Sequence, residues 1–249
     1  MTNFDLNNKR IIVFGGAGKI GLPIATGLAT AGADVTIASR NASKTLQASD
    51  LNDKLKIHFM DVDASEENAM RDVFDGSTTF GGCVFCSTIR PMTKYLDSDI
   101  STWENSVLKN STSLYLSNVL AANHMRDNGG GSIINISSIY GIRAPDRNLY
   151  EGTDMGTEPD YPFIKGGTIA LTKYMAAMYG HSGVRVNCLA PGGLEGSQPS
   201  RFKAQYIKKV PLGRMMKQND LKGPSVFLMS DASSYITGVT IPIDGGFTL

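Results

Sequence analysis

The chain has 249 residues, of which 41% are hydrophobic and 19% charged, so it is long enough to bury a sizeable core in one domain or at most two. It has 24 Lys and Arg against 23 Asp and Glu, and this net charge of +1 provides no overall field to hold nucleic acid or an anionic membrane surface. No apolar run approaches the roughly 20 residues of a membrane span, and residues 1–10 lack the apolar core of a signal peptide. We therefore expect a soluble, cytoplasmic protein without nucleic-acid or membrane partners, whose small-molecule ligand is selected by a local site.

The cysteines, Cys83, Cys86 and Cys188, are too few and odd in number for a disulfide framework, which fits a reducing compartment. Cys83 and Cys86 have the spacing of a redox or metal-binding pair. However, the run Cys-Val-Phe-Cys is apolar, follows two glycines and has no second ligand pair nearby. We interpret it as a buried core strand, with a redox or metal site as the alternative.

Short β-branched or apolar runs alternate with helix-length segments along the chain. The predicted elements in chain order are strand Arg10–Phe14, helix Ile20–Ala31, strand Asp34–Ala38, strand Ile57–Met60, helix Ser65–Phe74, strand Cys83–Cys86, helix Trp103–Arg126, strand Ile133–Ser137, helix Ile164–Tyr179, strand Val184–Leu189, helix Asn219–Met229 and strand Val239–Ile243. Such alternation builds a parallel sheet, because each parallel crossover needs a connection that lies over the sheet. The sequence predicts an α/β fold, a single domain over residues 1–249 with a doubly wound parallel sheet and helices on both faces.

A glycine-rich turn follows the first strand and opens the first helix, where the backbone can approach a pyrophosphate. The alternative is a glycine cluster that merely closes a turn. The residues of this loop that we predict to bind a dinucleotide are Gly15, Gly18, Lys19, Ile20 and Gly21.

The ends of the second and third strands bear on which dinucleotide is bound. Where an acidic residue would bind the adenosine ribose of NAD, the chain has Ser39 and Arg40. Arg40 can hold a 2′-phosphate, with Lys19 as a second cation, so we expect NADP to be preferred and NAD to be possible. The alternative is that both cations are solvated surface residues. Asp61 and Val62 end the third strand, where the carboxylate either accepts a hydrogen bond from the adenine amine or belongs to a turn.

Tyr161 and Lys165 are four residues apart at the start of a helical segment, so their side chains share a face. A phenol needs a nearby cation to exchange a proton near neutral pH, and Lys165 supplies one. Ser138 ends a strand-like run at the carboxyl edge, where open α/β sheets hold their chemistry. Asn110 lies within the long helix. The alternatives for Ser138 and Asn110 are a cap and a local hydrogen-bonding or kink residue.

Together these motifs resemble a short-chain dehydrogenase/reductase with a Rossmann-like fold, and the resemblance covers essentially the whole chain. It is carried by the glycine loop, Asn110, Ser138, Tyr161-Pro162-Phe163-Ile164-Lys165, Asn187-Cys188-Leu189-Ala190-Pro191-Gly192 and Asp244-Gly245-Gly246. Residues 211–214 and 227–232 are similar to the compact members, such as 3-oxoacyl-carrier-protein reductases.

The resemblance implies an NAD(P)(H)-dependent oxidoreductase that interconverts a secondary alcohol and a ketone. It makes Tyr161 the general acid/base and Lys165 the cation that favours the phenolate and holds the nicotinamide ribose. Ser138 would orient the carbonyl or hydroxyl, and Asn110 would position a relay water. The cofactor carries the hydride, and the family usually assembles as tetramers, so we expect a homotetramer or homodimer. Further residues that the resemblance places at the cofactor are Cys86, Pro191 and Gly192.

The chain also departs from the family pattern. Phe14 stands where the family usually has Thr, and Lys19 occupies the position of the middle glycine, with Gly18 before it. The resulting spacing of Gly15, Gly18 and Gly21 resembles the loop of longer, epimerase-like relatives, but the chain length and the ending at residues 244–246 argue against that branch. The family segment Asn-Asn-Ala-Gly is replaced by residues 85–88, Phe-Cys-Ser-Thr, and an expected Thr aligns with Gly196, which leaves Ser197 as the nearest hydroxyl. We expect adenine packing and carboxamide binding to differ accordingly.

The segment between Ser138 and Tyr161 is longer than in the compact relatives, and long connections in compact domains are often functional. The predicted substrate loop, about residues 143–160, has a net charge of −3, and residues 194–218 of the predicted lid, about 193–218, have +5. These charges either bind a polar substrate between them or are simply solvated and paired. A local resemblance of residues 138–153 to reductases of surface-carbohydrate pathways favours a carbohydrate- or polyol-like substrate.

Three other functions remain open. A 3-oxoacyl-type ketoreductase would use the same residues on a different substrate. A catalytically silent nucleotide-binding regulator would fit the altered glycine loop, since function does not follow from fold alone. An epimerase or dehydratase would consume no net NAD(P)H.

Overall fold

The computed structural model describes residues 4–46, 55–88 and 99–249. Its strands are β1 (Arg10–Phe14), β2 (Asp34–Ser39), β3 (Ile57–Asp61), β4 (Gly82–Phe85), β5 (Gly131–Ile136), β6 (Val184–Pro191) and β7 (Thr240–Ile243). They form one sheet in the order β3-β2-β1-β4-β5-β6-β7, in which every neighbouring pair is parallel. The predicted strands are thereby confirmed to within about two residues at each end.

The α-helices in the described part of the chain are α1 (Gly21–Thr30), α2 (Ala42–Leu46), α3 (Glu67–Asp75), α4 (Ile100–Asp127), α5 (Ile139–Ile142), α6 (Asp160–Tyr179), α7 (Ser200–Ile207) and α8 (Lys222–Met229). Helix α6 begins at Asp160 rather than at the predicted Ile164, so Tyr161 lies in its first turn. Among these helices, none is both long and apolar enough to cross a membrane.

Helices cover both faces of the sheet, as the predicted doubly wound fold requires. Along β1, Ile11 and Val13 point into the core under α1 and α8, whereas Ile12 and Phe14 point into the core under α3, α4 and α6. This alternation follows from the period of two residues in a strand. All four side chains are fully buried, so β1 is a central strand of the molecule.

A crevice is expected where the strand order reverses. From β1 the chain moves outward to β2 and β3, and then returns to place β4 on the other side of β1. In open α/β sheets, ligands bind outside the carboxyl ends of the strands at such a reversal. The glycine loop follows β1 and residues 86–88 follow β4, so both segments meet at this point.

A buried polar network joins α4, β5 and α6 beneath the carboxyl edge. The side-chain amides of Asn118 and Asn135 exchange two hydrogen bonds of 2.9 Å, and Asn135 Nδ2 also donates to Thr172 Oγ1 at 3.0 Å. None of the three residues is exposed to solvent. A network with its partners in place fixes one relative position of the packed elements, because any shift would leave a buried polar group without a partner.

Candidate active site

The glycine loop is a turn whose backbone comes close to neighbouring strands. Gly15 has φ +71, and a Cβ at this position would lie 2.8 Å from the backbone nitrogen of Ser87. Gly15 N donates to Ala38 O at 2.8 Å, and Ala17 N donates to Ser39 Oγ at 3.3 Å. Ser39 thus holds the loop against β2, and the loop presents a bare backbone at the crevice, as pyrophosphate binding requires.

A cleft of about 330 Å³ opens at the point where the strand order reverses. This volume lies within the range of small-molecule sites. The predicted cofactor residues that line it are Gly15, Gly18, Ser39, Arg40, Val62 and Cys86. Residues that the sequence analysis did not single out as cofactor contacts, but which also line it, are Asn41, Asp63, Ser87, Thr88 and Ser113.

Arg40 and Lys19 border two different cavities, so their joint binding of a 2′-phosphate stays a prediction. Arg40 lines the cleft, where it is exposed and has no hydrogen bond or ion pair to any residue that the structure describes. Lys19 borders a different cavity, beside Gln218 and Lys222, and Ile20 packs against the core under α1. Gly18 lines both cavities, whereas Lys19 lines only the second one.

Asp61 ends β3 and is bonded to α2. Its carboxylate accepts hydrogen bonds from Ser43 Oγ at 2.5 Å and Ser43 N at 3.0 Å, which hold its pKa below the usual value. The acid that lines the cleft is Asp63, two residues further on, and contact of Asp61 with adenine stays a prediction. Burial opposes ionisation of Asp63, but hydrogen bonds from Ser65 and the nearby charge of Arg40 lower its pKa overall.

Tyr161 and Lys165 lie together at the carboxyl edge of β5. Lys165 is only 6% exposed, and its Nζ lies 5.7 Å from the centroid of the Tyr161 ring. Nζ donates to Ile136 O and to Thr88 Oγ1, each at 3.0 Å. A buried ammonium needs such partners, and they satisfy two of its three N–H groups. The arrangement places a fixed positive charge against the phenol ring.

Ser138 is the second residue after β5 and caps α5, since its Oγ accepts a hydrogen bond from Tyr140 N at 3.2 Å. The ring of Tyr140 lies edge-on to that of Tyr161, with centroids 6.5 Å apart. A Cβ on Gly141 would lie 2.6 Å from Lys165 O, so glycine permits α5 to pack closely on α6. Ser138 therefore acts as a cap, as the alternative supposed, and it lies on the segment packed beside Tyr161.

Asn110 is buried in α4 and connects to the start of α6. Its Nδ2 donates to Ser106 O at 2.8 Å, which is the local helical bond that the alternative anticipated. The hydroxyl of Ser106 donates in turn to the carboxylate of Asp160, the residue before Tyr161. The structure thus links the helix of Asn110 to the first turn of the helix that holds Tyr161 and Lys165.

The substrate loop and the lid pack on each other through a third, smaller core. Leu149 and Tyr150 of the loop pack with Phe202 and Tyr206 of the lid. An ion pair of 2.5 Å joins Lys209 Nζ to the carboxylate of Asp146. One positive charge of the lid and one negative charge of the loop therefore neutralise each other. Further lid–loop contacts are Arg201 Nε to Glu151 O at 2.9 Å and Gln205 Nε2 to the same oxygen at 3.4 Å.

A cavity of about 610 Å³ lies within the loop and against the first turn of α6. Its wall includes Pro162, the residue after Tyr161, and Tyr150, whose Oη bonds to Tyr140 Oη at 2.6 Å and to Thr157 Oγ1 at 2.7 Å. Arg147 also lines it, exposed and without an ion pair among the residues described. Most of its lining residues belong to the segment predicted as the substrate loop, and the cavity itself forms because residues 145–162 fold back on themselves.

Pro191 and Gly192 end β6 next to the lid, but neither lines the cleft in the structure. A Cβ on Gly192 would lie 2.8 Å from Tyr206 Oη, which accepts a hydrogen bond of 2.5 Å from Gly193 N. Burial raises the pKa of Tyr206 to about 12. Gly192 therefore serves the close packing of the lid helix on β6.

The three cysteines are free, and Cys83 and Cys188 are buried. Burial raises the pKa of all three thiols, that of Cys86 to about 12 and that of Cys188 to about 11. In the described ranges no cluster of three or more His, Cys, Asp or Glu could hold a metal ion. The structure supports the interpretation of Cys83 as a core strand residue and puts Cys86 at the cleft.

Comparison with known proteins identifies the family. A family model described as enoyl-(acyl carrier protein) reductase matches residues 15–248. The 3-oxoacyl-[acyl-carrier-protein] reductase of Chlamydia pneumoniae is 31% identical over 258 residues, covering 99% of both chains. The chain belongs to the short-chain dehydrogenase/reductase family. It is therefore an oxidoreductase that acts on CH–OH groups, and the family, fold and enzyme class predicted from the sequence are confirmed.

Solved structures of short-chain dehydrogenases/reductases are similar over the whole chain. One from Leptospira borgpetersenii with bound NAD⁺ has a TM-score of 0.88 at 28% identity and covers 100% of this chain and 96% of its own. A gluconate 5-dehydrogenase from Burkholderia cenocepacia, in complex with NADP and tartrate, has a TM-score of 0.87 at 28% identity. The match covers 99% of this chain and 97% of the gluconate 5-dehydrogenase chain.

The residues of this short-chain dehydrogenase/reductase fit a nicotinamide dinucleotide. The close approach of Gly15 to Ser87 leaves no room for a side chain in the loop, and Arg40 offers an unengaged cation at the cleft. Lys19, which replaces the family's middle glycine, lines a neighbouring cavity and is not among the residues that line the cleft. The altered glycine loop therefore keeps the shape that dinucleotide binding needs.

Proposed function

We propose that the protein is an NADP(H)-preferring dehydrogenase/reductase, able to use NAD(H), that interconverts a secondary alcohol and a ketone on a carbohydrate- or polyol-like substrate. The observation that carries this proposal is the buried ammonium of Lys165 against the Tyr161 ring, at the edge of the cleft that Arg40 and the glycine loop line. We further propose that residues 1–249 form one domain, with a substrate loop at about 143–160 and a lid at about 193–218.

The proposed mechanism assigns proton transfer to Tyr161, which takes the proton of the substrate hydroxyl in oxidation and returns it in reduction. Lys165 stabilises the phenolate through its fixed charge. Ser138 orients the reacting oxygen, and Asn110 positions a water that exchanges protons with the site. When bound, the nicotinamide ring supplies the chemistry of hydride acceptance or donation.

Cofactor binding is assigned to the loop and the strand ends. Gly15, Gly18 and Gly21 shape the turn for the pyrophosphate, and Arg40 binds the 2′-phosphate of NADP. The other proposed cofactor residues are Lys19, Ile20, Ser39, Asp61, Val62, Cys86, Tyr161, Lys165, Pro191 and Gly192. Of these, Lys19, Ile20 and Asp61 have the weakest support, since their side chains engage other parts of the fold.

A polar substrate is supported by the cavity beside Tyr161. Arg147 offers a cation, while Glu151 and Asn148 offer acceptor and amide groups that suit a hydroxylated carbon chain. The similar gluconate 5-dehydrogenase carries NADP and tartrate, a hydroxylated dicarboxylate. The test is a screen of the purified protein with NADP⁺ and polyols or aldonic acids such as D-gluconate, and with NADPH and the matching keto acids.

A 3-oxoacyl-type ketoreductase is the second candidate, and the 31% identity to the Chlamydia pneumoniae reductase favours it. A screen in which only acyl thioesters are reduced would replace the carbohydrate assignment by this one. Tyr161→Phe then separates the enzyme from a silent nucleotide-binding regulator. An enzyme loses turnover in this variant, whereas a regulator keeps both cofactor affinity and biological effect. An epimerase or dehydratase would show product without net change in NAD(P)H.

We also propose a homotetramer or homodimer built on α4 and α6. These neighbouring helices expose large apolar side chains, including Leu108 at 68%, Phe163 at 57% and Tyr174 at 60%. Contiguous apolar surface of this kind marks protein interfaces. Light scattering would give the assembly state. The free thiols support the proposed cytoplasmic location, since all three stay unpaired.

A further inference from the structure

The ring of Phe247 is a shared contact of the substrate loop and the lid. It stacks on the ring of Tyr206, with centroids 4.8 Å apart and planes inclined by 11°. The guanidinium carbon of Arg143 lies over the Phe247 ring at 5.5 Å from its centroid, and Arg143 Nη1 donates to Phe247 O at 3.2 Å. Phe247 is only 3% exposed, so both contacts are part of a packed interior.

A hydrogen-bonded turn holds the backbone around Phe247. The carboxylate of Asp244 accepts hydrogen bonds from Gly246 N and Thr248 N, each at 2.9 Å, and from Thr248 Oγ1 at 2.7 Å. Gly245 and Gly246 have φ +64 and +93, a region that favours glycine. The turn therefore fixes the place from which the Phe247 ring enters the third core.

The two neighbours of Phe247 lead to opposite sides of the proposed site. Arg143 directly follows α5, a helix of only four residues whose other end is capped by Ser138. Tyr206 Oη accepts the 2.5 Å hydrogen bond from Gly193 N, at the end of β6. Phe247 thus connects the helix that begins at Ser138 with the segment that follows β6.

We propose that Phe247 is a positioning residue that couples the substrate side of the site to its cofactor side. The inference rests on the proposed function, in which Ser138 orients the substrate and Gly192 binds the cofactor. A displacement of Arg143 moves the buried ring or leaves a void beside it, because protein interiors are close-packed. The ring carries the displacement to the lid tyrosine that holds Gly193. By linkage, substrate and cofactor then change each other's affinity by the same factor.

The first test uses the protein without nucleotide or substrate. Arg143→Gln removes the guanidinium from the ring, Phe247→Leu removes the ring, and a double variant combines them. Arg71→Gln is the matched control, since Arg71 is an exposed arginine of α3 that bonds to Glu67. The readout is hydrogen–deuterium exchange of the Gly193 amide, isolated by mass spectrometry with fragmentation of the peptides that contain it.

We expect Arg143→Gln to speed exchange of the Gly193 amide by about 3- to 30-fold, the range of energetic coupling between distant sites. In the Phe247→Leu background the same substitution should add less than about twofold, because the connecting ring is already gone. Arg71→Gln should match the unsubstituted protein.

A merely structural role of Phe247 gives a different pattern. It lets Arg143→Gln leave Gly193 unchanged, or lets the effects of the two substitutions multiply in the double variant, and either result would overturn the coupling. If Phe247→Leu does not fold, Phe247→Met takes its place, since it supplies similar apolar volume without a flat ring.

The second test measures NADPH binding by nicotinamide fluorescence. Arg143 does not line the cleft, yet the coupling predicts that Arg143→Gln weakens NADPH binding by about 3- to 30-fold. An unchanged Kd for NADPH in this variant would refute the coupling. If the unsubstituted protein binds neither NADPH nor NADH, the proposed function fails, and the exchange of Gly193 alone then decides the inference.

Discussion

Replacing Arg40 by Ala should change which nucleotide the protein prefers. Arg40 is exposed at the cleft and has no hydrogen bond or ion pair with the described part of the protein, so its removal breaks no internal contact. We expect stability to change by less than about 0.5 kcal/mol. A charge-assisted hydrogen bond contributes about 1.5 to 3 kcal/mol, which corresponds to about 10- to 150-fold in Kd. NADPH affinity should fall by this factor while NADH affinity stays within about twofold.

The assay is a separate titration of NADPH and NADH into each purified variant, followed by nicotinamide fluorescence. Lys173→Ala is the control, because it also removes one exposed positive charge, but Lys173 lies on α6 and does not line the cleft. Its ratio of NADPH to NADH affinity should match that of the unsubstituted protein. Equal losses of both nucleotides in Arg40→Ala, or a similar change of the ratio in Lys173→Ala, would refute the assignment of Arg40 to the 2′-phosphate.

Three further predictions concern buried groups and the contact between loop and lid. Asn118→Leu leaves the buried Oδ1 of Asn135 without its donor, while Asn135 Nδ2 keeps Thr172, so denaturant unfolding should show a loss of about 1 to 3 kcal/mol, and a loss below about 0.5 kcal/mol would contradict this. Burial raises the pKa of Cys86 to about 12, so little of its thiol is ionised at pH 8 although the residue lines the cleft. Mass spectrometry should therefore find Cys86 almost unlabelled by iodoacetamide until the protein is unfolded; rapid labelling of native protein would argue against a desolvated thiol. The hydrogen bond from Lys209 lowers the pKa of Asp146 below its ordinary value of 3.8. The ion pair therefore stabilises the folded protein fully at pH values above 3.8, and this stabilisation is lost as the pH falls through the lowered pKa of Asp146. The Tm difference between the unsubstituted protein and Lys209→Met should thus be present at pH 6 and disappear toward pH 3, and a difference that is constant with pH would contradict the ion pair's role.

The sheet could be predicted because its signals are local. Strand β1 carries five residues of which the last four are fully buried, and the glycine loop directly after it marks the first turn of the fold. The position of Tyr161 and Lys165 on one helix face follows from helical periodicity alone. Such features need only the residue itself and its near neighbours in sequence.

The misplaced residues depend on contacts between distant parts of the chain. Asp61 ends its strand as predicted, but Ser43, eighteen residues earlier, engages its carboxylate. Helix α7, which the sequence pattern did not show, is held by Phe202 and Tyr206 in the third core rather than by its own propensity. Lys165 and Thr88 are 77 positions apart, so nothing in the sequence could reveal that they meet.

The shared core of the substrate loop and the lid has a consequence for turnover. Leu149 and Tyr150 from the loop pack with Phe202 and Tyr206 from the lid side, and Lys209 is paired across the contact with Asp146. A displacement of the lid that admits substrate or releases product must carry the loop along or break this packing. For the proposed substrate loop and lid, we expect substitutions that change which substrate is accepted to change the rate of product release as well.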